Sequence, residues 1–257
     1  MIAISNQKGG VGKTTTCYNL GACLVELNQR VLVIDVDPQS NLTLAAGLDY
    51  DEVEMTLVDL MDHAGTQVLD PKAIIHHTSL PGLDILPADP RLARVERDLY
   101  ELADYESALA RVIEPLKESY DSIILDCPPT LSSLTLVSFY AADEVLIPVQ
   151  CEYYAAKGLD LLLTIISTME KRRNRTIPWY LVVTLFDPRN KIHRTVFDQL
   201  NQNFSGHLMQ TFIRMDTKLR ECPIVGEPIT VYAPNTRASE QYRLLAREFD
   251  QRVSKEK

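Results

Sequence analysis

The chain has no apolar run of the roughly 18 residues that a membrane-spanning helix requires. Its start lacks the charged-then-apolar layout of a secretory leader, because "MIAISN" already reads as a strand. Both absences point to the cytoplasm. No C-x-x-C pair occurs among Cys17, Cys23, Cys127, Cys151 and Cys222, so neither disulfides nor a zinc site is expected and the thiols read as reduced. The histidines, His63, His76, His77, His193 and His207, lack metal-ligand spacing, and His76–His77 read as loop residues. Positive charge is scarce as well. The formal net charge of −9 leaves only a local basic surface as an argument for nucleic acid. No internal repeat, low-complexity tract or Gly/Ser linker divides the chain, so one domain over residues 1–257 is the simplest organisation.

What is present is alternation. Short apolar runs ("MIAISN", "RVLVIDVD", "GLDILPA", "DSIILDCPP", "EVLIPVQC", "WYLVVTLFD") are separated by helical patterns such as "AAKGLDLLLTIISTMEKRR". Near-continuous apolar strands are those covered on both faces. The order predicts an α/β fold, doubly wound, with a mostly parallel central sheet flanked by helices. "TTTCYNLGACLVELN" predicts a helix with Leu20, Cys23, Leu24 and Leu27 on one face; "ASEQYRLLAREFDQRV" predicts another with Tyr242, Leu245 and Phe249 inward.

The stretch QKGGVGKTTT lies between the first strand and the first helix, the context a phosphate-binding loop needs. Glycines let backbone N–H groups turn toward phosphate, and the helix N-terminus adds positive potential. Gly9, Gly10, Val11, Gly12, Lys13, Thr14 and Thr15 are the candidate nucleotide contacts. Lys13 would meet the β- and γ-phosphate oxygens, the Thr14 hydroxyl would ligate Mg²⁺, and Thr15 would bond a further phosphate oxygen. A strict G-x-x-x-x-G-K-[ST] pattern wants glycine where this chain has Gln7, so the loop is a variant. A second cation, Lys8, stands at its front.

Two acidic strand ends accompany the loop: "VLVIDVDPQSN" with Asp35 and Asp37, and "IILDCPP" with Asp126. Both should lie at the carboxyl edge of the sheet, beside the phosphates. Asp126 fits the carboxylate that holds Mg²⁺ through water. Asp37 fits a residue near the metal that polarises the attacking water.

Charge is uneven along the chain. Residues 49–106 carry 14 acidic and 4 basic side chains, a net of −10, whereas 171–220 carry 10 basic and 3 acidic, a net of +7. The second region implies one face able to hold a polyanion.

KGGVGKTT, DVDPQSN, LDCPP and "GEPITVYAPNTRASEQYRLLARE" together resemble the ParA/Soj partition ATPases, within the deviant Walker A group of P-loop NTPases that also holds MinD. The resemblance spans essentially the whole chain. It implies a slow, partner-stimulated ATPase using ATP and Mg²⁺, an ATP-dependent homodimer, non-specific binding to double-stranded DNA, a ParB-like adaptor and a nucleoid-associated location. It implies that Lys8 reaches into the partner subunit's nucleotide site and that Gly9 lies at that interface. A loop-edge cation is idle in a monomer but neutralises phosphate charge across a face-to-face dimer, as an arginine finger does. Arg189 in "LFDPRNK", with Arg214, Lys218 and Arg220 in "IRMDTKLRECP", corresponds to the family's DNA surface, and Pro234, Asn235 and Thr236 correspond to its base-side loop.

The chain opens at the first strand, so an N-terminal DNA-reading domain, and operator-specific repression with it, is not expected. Lys157 stands where relatives often carry an acid, and reads as a helix-start surface lysine or a further cation near the interface. The cargo is open: a plasmid, a chromosomal origin, or a compartment such as the carboxysome positioned by McdA-like members. Two other classes share the fold. A MinD-like membrane-cycling ATPase would need an apolar, lysine-flanked terminal helix, yet the chain ends in "EFDQRVSKEK". A metabolic ligase or an iron–sulfur reductase is the other; for the reductase, Cys127 follows Asp126 but no second cysteine accompanies it.

Overall fold

The computed structural model describes residues 1–62, 69–152 and 155–256, without the side chains of 155–157 and 254–256. His63 and the Lys157 side chain therefore lie outside the described residues. The strands are β1 (Ile2–Ile4), β2 (Val31–Asp35), β3 (His76–His77), β4 (Leu83–Leu86), β5 (Ser122–Asp126), β6 (Glu144–Gln150) and β7 (Trp179–Thr184). The helices are α1 (Lys13–Glu26), α2 (Asn41–Ala45), α3 (Leu57–Asp62), α4 (Leu92–Asp98), α5 (Ala108–Ile113), α6 (Ser133–Ala141), α7 (Ala155–Arg173), α8 (Lys191–Asn203), α9 (Lys218–Val225), α10 (Ile229–Tyr232) and α11 (Arg237–Glu256).

Among the described residues the strands form one sheet, ordered β3-β4-β2-β5-β1-β6-β7 and parallel except at β3. The doubly wound, mostly parallel expectation is met. From β1 the chain moves outward to β2 on one side, and from β5 it crosses β1 to reach β6 on the other. The segment after β1 thus opens at a point where the winding reverses, the usual place for a ligand crevice. Register fixes what stands there: Ile4 is opposite Asp126, and Asp126 is opposite Asp35.

Strand alternation sorts the core into two layers. Ile2, Ile4, Val31, Val33, Leu83, Ile85 and Ile124 pack with α1 and α11. Ala3, Leu32, Ile34, Leu86, Ile123 and Leu125 pack with α3 to α7. Tyr242, Leu245 and Phe249 are buried as the helical pattern predicts. Beyond β7 the edge is covered, because Leu181 N–H donates to the His207 carbonyl (2.8 Å), Met209 N–H to Leu181 (2.8 Å) and Ile213 N–H to Val183 (2.8 Å). An otherwise open row of backbone groups is satisfied there.

The loop reading of His76–His77 is corrected. They form β3, antiparallel to β4, and His77 Nδ1 lies 2.7 Å from Asp84 Oδ1. The turn that makes this possible has Gly82 at φ 93° and Thr78 Oγ1 donating to the Leu83 carbonyl at 2.8 Å. A two-residue strand made by a turn carries no apolar alternation for sequence to show.

Leu245 is fully buried between α1 and the sheet. Leu245→Ala should cost about 2–5 kcal/mol, read as a lower urea midpoint with an unchanged m-value; a shift within error would mean α11 is not part of the core.

Candidate nucleotide-binding site

The loop after β1 is held from both sides. Asn6 Nδ2 donates to the Pro148 carbonyl (2.7 Å), and its Oδ1 accepts from Lys8 N–H (3.0 Å). Val11 is buried, and its carbonyl accepts from Thr184 Oγ1 at 2.7 Å. Gly10 and Gly12 adopt φ of 75° and 83°, a region costly for any residue with a Cβ. Gly12 is the N-cap of α1, with no side-chain cap and no acid in the first turn. The N-terminus of a 14-residue helix is thus left without an anion of its own. A Cβ built on Gly9, Gly10 or Gly12 would meet nothing within 4 Å. For Gly9, which also lacks a positive φ, nothing within the chain requires glycine.

Lys13 is buried at 8% exposure. Burial lowers its pKa, while Asp126 and Asp37 pull the other way. Its strongest hydrogen-bond contact is a long 3.5 Å approach to the Lys8 carbonyl, so the ammonium faces a cavity with most of its donor capacity unused.

Three carboxylates stand at this edge in different states, and two of them, Asp126 and Asp37, act on the cation. Asp35 is fully buried but satisfied: Oδ2 accepts from Thr43 N–H (2.9 Å) and Thr43 Oγ1 (2.8 Å), and Oδ1 from Asp37 N–H (3.1 Å). Burial lifts its pKa to about 6 despite those bonds. It is a staple that fixes the loop carrying Asp37. Asp37 accepts from Gln39 N–H (2.9 Å); burial raises its pKa, and Lys13 opposes the rise. Asp126 is fully buried, and neither oxygen has a hydrogen bond of acceptable length and angle. Burial, with the charge of Asp35, pushes its pKa well up; the facing Thr14 hydroxyl and Lys13 pull it partly back.

An unbonded buried carboxylate is costly, and a cation is the natural remedy. Asp126 and the Thr14 hydroxyl, with Asp37 nearby, fit a Mg²⁺ whose other ligands are water and phosphate oxygens. Carboxylate and hydroxyl oxygens are the donors that Mg²⁺ favours. The cysteines are free and buried. A cavity of about 470 Å³ joins the loop glycines, Lys13, Thr14, Thr15 and Asp37 to Gln39, Leu44, Leu219, Cys222 and Pro223. A larger one, about 740 Å³, lies at the opposite sheet edge among Met1, Asp143, Trp179 and His207, touching none of these groups. Chemistry, rather than size, selects the first.

Lys8 is not idle in the single chain, which corrects the expectation. Its Nζ lies 2.6 Å from Glu152 Oε2 and 2.8 Å from Gln150 Oε1, with the side chain 46% exposed. Gln150 Nε2 in turn donates to the Gly10 carbonyl (3.3 Å). Sequence reasoning missed both partners, although Gln150 ends β6 and Glu152 follows it, and β6 is the strand beside β1, where the topology puts them within reach.

The other residues fall elsewhere. Pro234, Asn235 and Thr236 form the turn into α11, where Thr236 Oγ1 donates to the Ala233 carbonyl at 2.8 Å and accepts from Ser239 N–H at 3.3 Å. They are not among the cavity's lining residues, where Leu219, Cys222 and Pro223 are found. The 171–220 region does not make one face. Arg172 pairs with Glu106, and Arg175 with Asp143 (2.8 Å) at the amino edge of the sheet. The carboxyl-side group is Arg189, Arg214, Lys218 and Arg220. Arg189 pairs with Asp187 (3.2 Å), whose pKa both Arg189 and Arg214 lower, and Lys218 pairs with Glu221 (2.6 Å). Linear counting cannot see that a strand carries its two ends to opposite edges.

A family model described as "AAA domain" matches residues 1–178. The chain is 42% identical to the sporulation initiation inhibitor protein Soj of Bacillus subtilis, over 96% of this chain and 97% of Soj. It is 38% identical to the chromosome partitioning protein ParA of Myxococcus xanthus, over 98% of this chain and 88% of that one. The solved structure of cobyrinic acid a,c-diamide synthase from Mycobacterium smegmatis, with bound ATP analog and magnesium, matches at TM-score 0.85 and 30% identity, over 100% of this chain and 96% of that one.

A carboxylate with a raised folded pKa costs stability once pH exceeds its unfolded value near 4. Asp126→Asn should therefore unfold at higher urea than wild type at pH 8, with the difference shrinking toward pH 4. Magnesium with nucleotide should stabilise wild type and not the variant. A variant less stable than wild type at pH 8 would contradict the raised pKa of Asp126.

Proposed function

Because the chain belongs to the ParA/Soj family of partition proteins, we propose that it is a slow, partner-stimulated ATPase that dimerises on ATP and Mg²⁺, holds double-stranded DNA without regard to sequence, and positions a cargo through a ParB-like adaptor. The observation that carries this reading is the buried Lys13 beside the unbonded Asp126, at the uncapped N-terminus of α1.

Gly10, Val11, Gly12 and the first turn of α1 would hold the phosphates by backbone N–H groups, with Lys13 on the β- and γ-oxygens and Thr15 on a further one. Thr14, Asp126 and Asp37 would hold Mg²⁺, which neutralises developing phosphate charge when bound. Asp37 would hold and polarise the attacking water; burial raises its pKa, which makes it a better proton acceptor than a solvated carboxylate. Lys8 would leave Glu152 and Gln150 for the phosphates of the second subunit, and the open space at Gly9 would let the two loops approach. The two-state dimer, rather than turnover, is the output.

Arg189, Arg214, Lys218 and Arg220 would contact DNA phosphates, without base readout and with strong salt dependence. The site of action is then the nucleoid, within the cytoplasm. No helix among the described residues is long and apolar enough to cross a membrane. A metabolic synthase is the second reading, favoured by the name of the Mycobacterium smegmatis structure; the higher identity to Soj and ParA favours partition.

Binding to random-sequence duplex DNA at two salt concentrations tests the proposal. It should be several-fold or more tighter with ATP than with ADP, and Arg220→Glu should lower the salt slope by about 1 without altering ATP-driven dimerisation. Lys8→Ala should bind ATP yet remain monomeric in sedimentation. ATP binding with no DNA binding in any state would favour the metabolic reading.

A further inference from the structure

One helix touches both proposed surfaces. Leu219, Cys222 and Pro223, at helical spacing on one face of α9, line the nucleotide cavity. Lys218 and Arg220 lie off that face, with Arg220 exposed to solvent. Pro223 stands inside the helix and Gly226 ends it at φ 72°, its N–H capping the Cys222 carbonyl.

The end of α9 meets the segment that carries Asp37. Asp37 and Gln39 lead into α2, whose C-cap is Ala46, and Gly47 follows it with φ 81°. A Cβ on Gly226 would sit 2.7 Å from Gly47 Cα and 3.1 Å from Gly47 N; a Cβ on Gly47 would sit 3.3 Å from Gly226 Cα. Backbone rests on backbone, with no flexible side chain between to absorb movement. Tyr18 of α1, itself a cavity residue, donates its hydroxyl to the Gly226 carbonyl at 3.2 Å. Elements α1, α2 and α9 therefore share one rigid junction beside the cavity, and close-packed junctions pass on small displacements rather than damp them.

We propose that Gly47 and Gly226 are positioning residues: their contact makes the placement of Lys218 and Arg220 follow the nucleotide state of the Asp37 loop. The inference rests on the nucleotide and DNA reading above. Coupling of this kind is reciprocal, so ATP should tighten DNA and DNA should tighten ATP by the same factor, typically about 5- to 150-fold.

The test uses the full chain and Gly226→Ala, with Gly47→Ala as the milder variant should the first fail to fold. DNA affinity is measured with and without ATP, ATP affinity with and without duplex, dimerisation by sedimentation, and backbone hydrogen exchange across 218–225 with and without ATP. Support is a wild-type ratio in that range that falls toward one in the variants while ATP-driven dimerisation persists, together with loss of the ATP response of α9 exchange. Folded variants that keep both the wild-type ratio and the exchange response overturn the proposal, as does wild-type α9 exchange that ignores ATP. Wild type that binds no DNA, but whose α9 responds to ATP only while the glycine contact is intact, would refute the DNA reading and uphold the coupling.

Discussion

Asp126 ends a central strand with neither carboxylate oxygen hydrogen-bonded, opposite Asp35 in the sheet register and within the field of the Lys13 ammonium. The parallel sheet makes this arrangement hard to avoid, because β1, β2 and β5 deliver the phosphate loop, the Asp35–Asp37 loop and Asp126 to one edge. Asp35 offsets its burial with three hydrogen bonds and so organises its neighbours. Asp126 has only the facing Thr14 hydroxyl and the Lys13 charge to set against its burial. Burying this carboxylate costs stability, and a bound cation with phosphate would supply partners for it. On this account folding stability and ligand binding are linked through one carboxylate.

The same logic extends to Lys8. Its charge is met within the chain by Glu152 and Gln150, so crossing to a second subunit would exchange one set of partners for another. Exposed pairs of this kind contribute little net stability, and phosphate offers more charge to the same ammonium. Dimerisation is then governed by what the cavity of the other subunit holds, and Gly9 keeps the approach clear.

How much of this could be read in the sequence depends on whether the cause is local. The loop Gly9–Thr15 and the acids of DVDPQSN and LDCPP were legible because each strand end and its turn are written in consecutive residues. The burial of Tyr242, Leu245 and Phe249 was legible because helical period is local too. The Lys8 partners, the contact of Gly47 with Gly226 and the cavity wall formed by α9 join residues more than 140 positions apart, and no periodicity marks them. The basic region failed as a single face for the same reason: Arg175 and Arg189 are separated by β7, which runs from one sheet edge to the other. The short β3 was missed because a turn, and not an apolar pattern, creates it.

The central claim is that each nucleotide site is completed by the Lys8 of a second subunit while its own Asp37 acts in place. Mixing Lys8→Ala with Asp37→Ala tests it most directly. A heterodimer of the two has one site with its own Asp37 and a Lys8 supplied across the interface, and a second site with neither. ATP turnover should rise above that of either variant alone, toward roughly a quarter of wild type if subunits pair at random in a two-fold dimer. A mixture no faster than the mean of its two components, with heterodimers demonstrably present, would contradict the account.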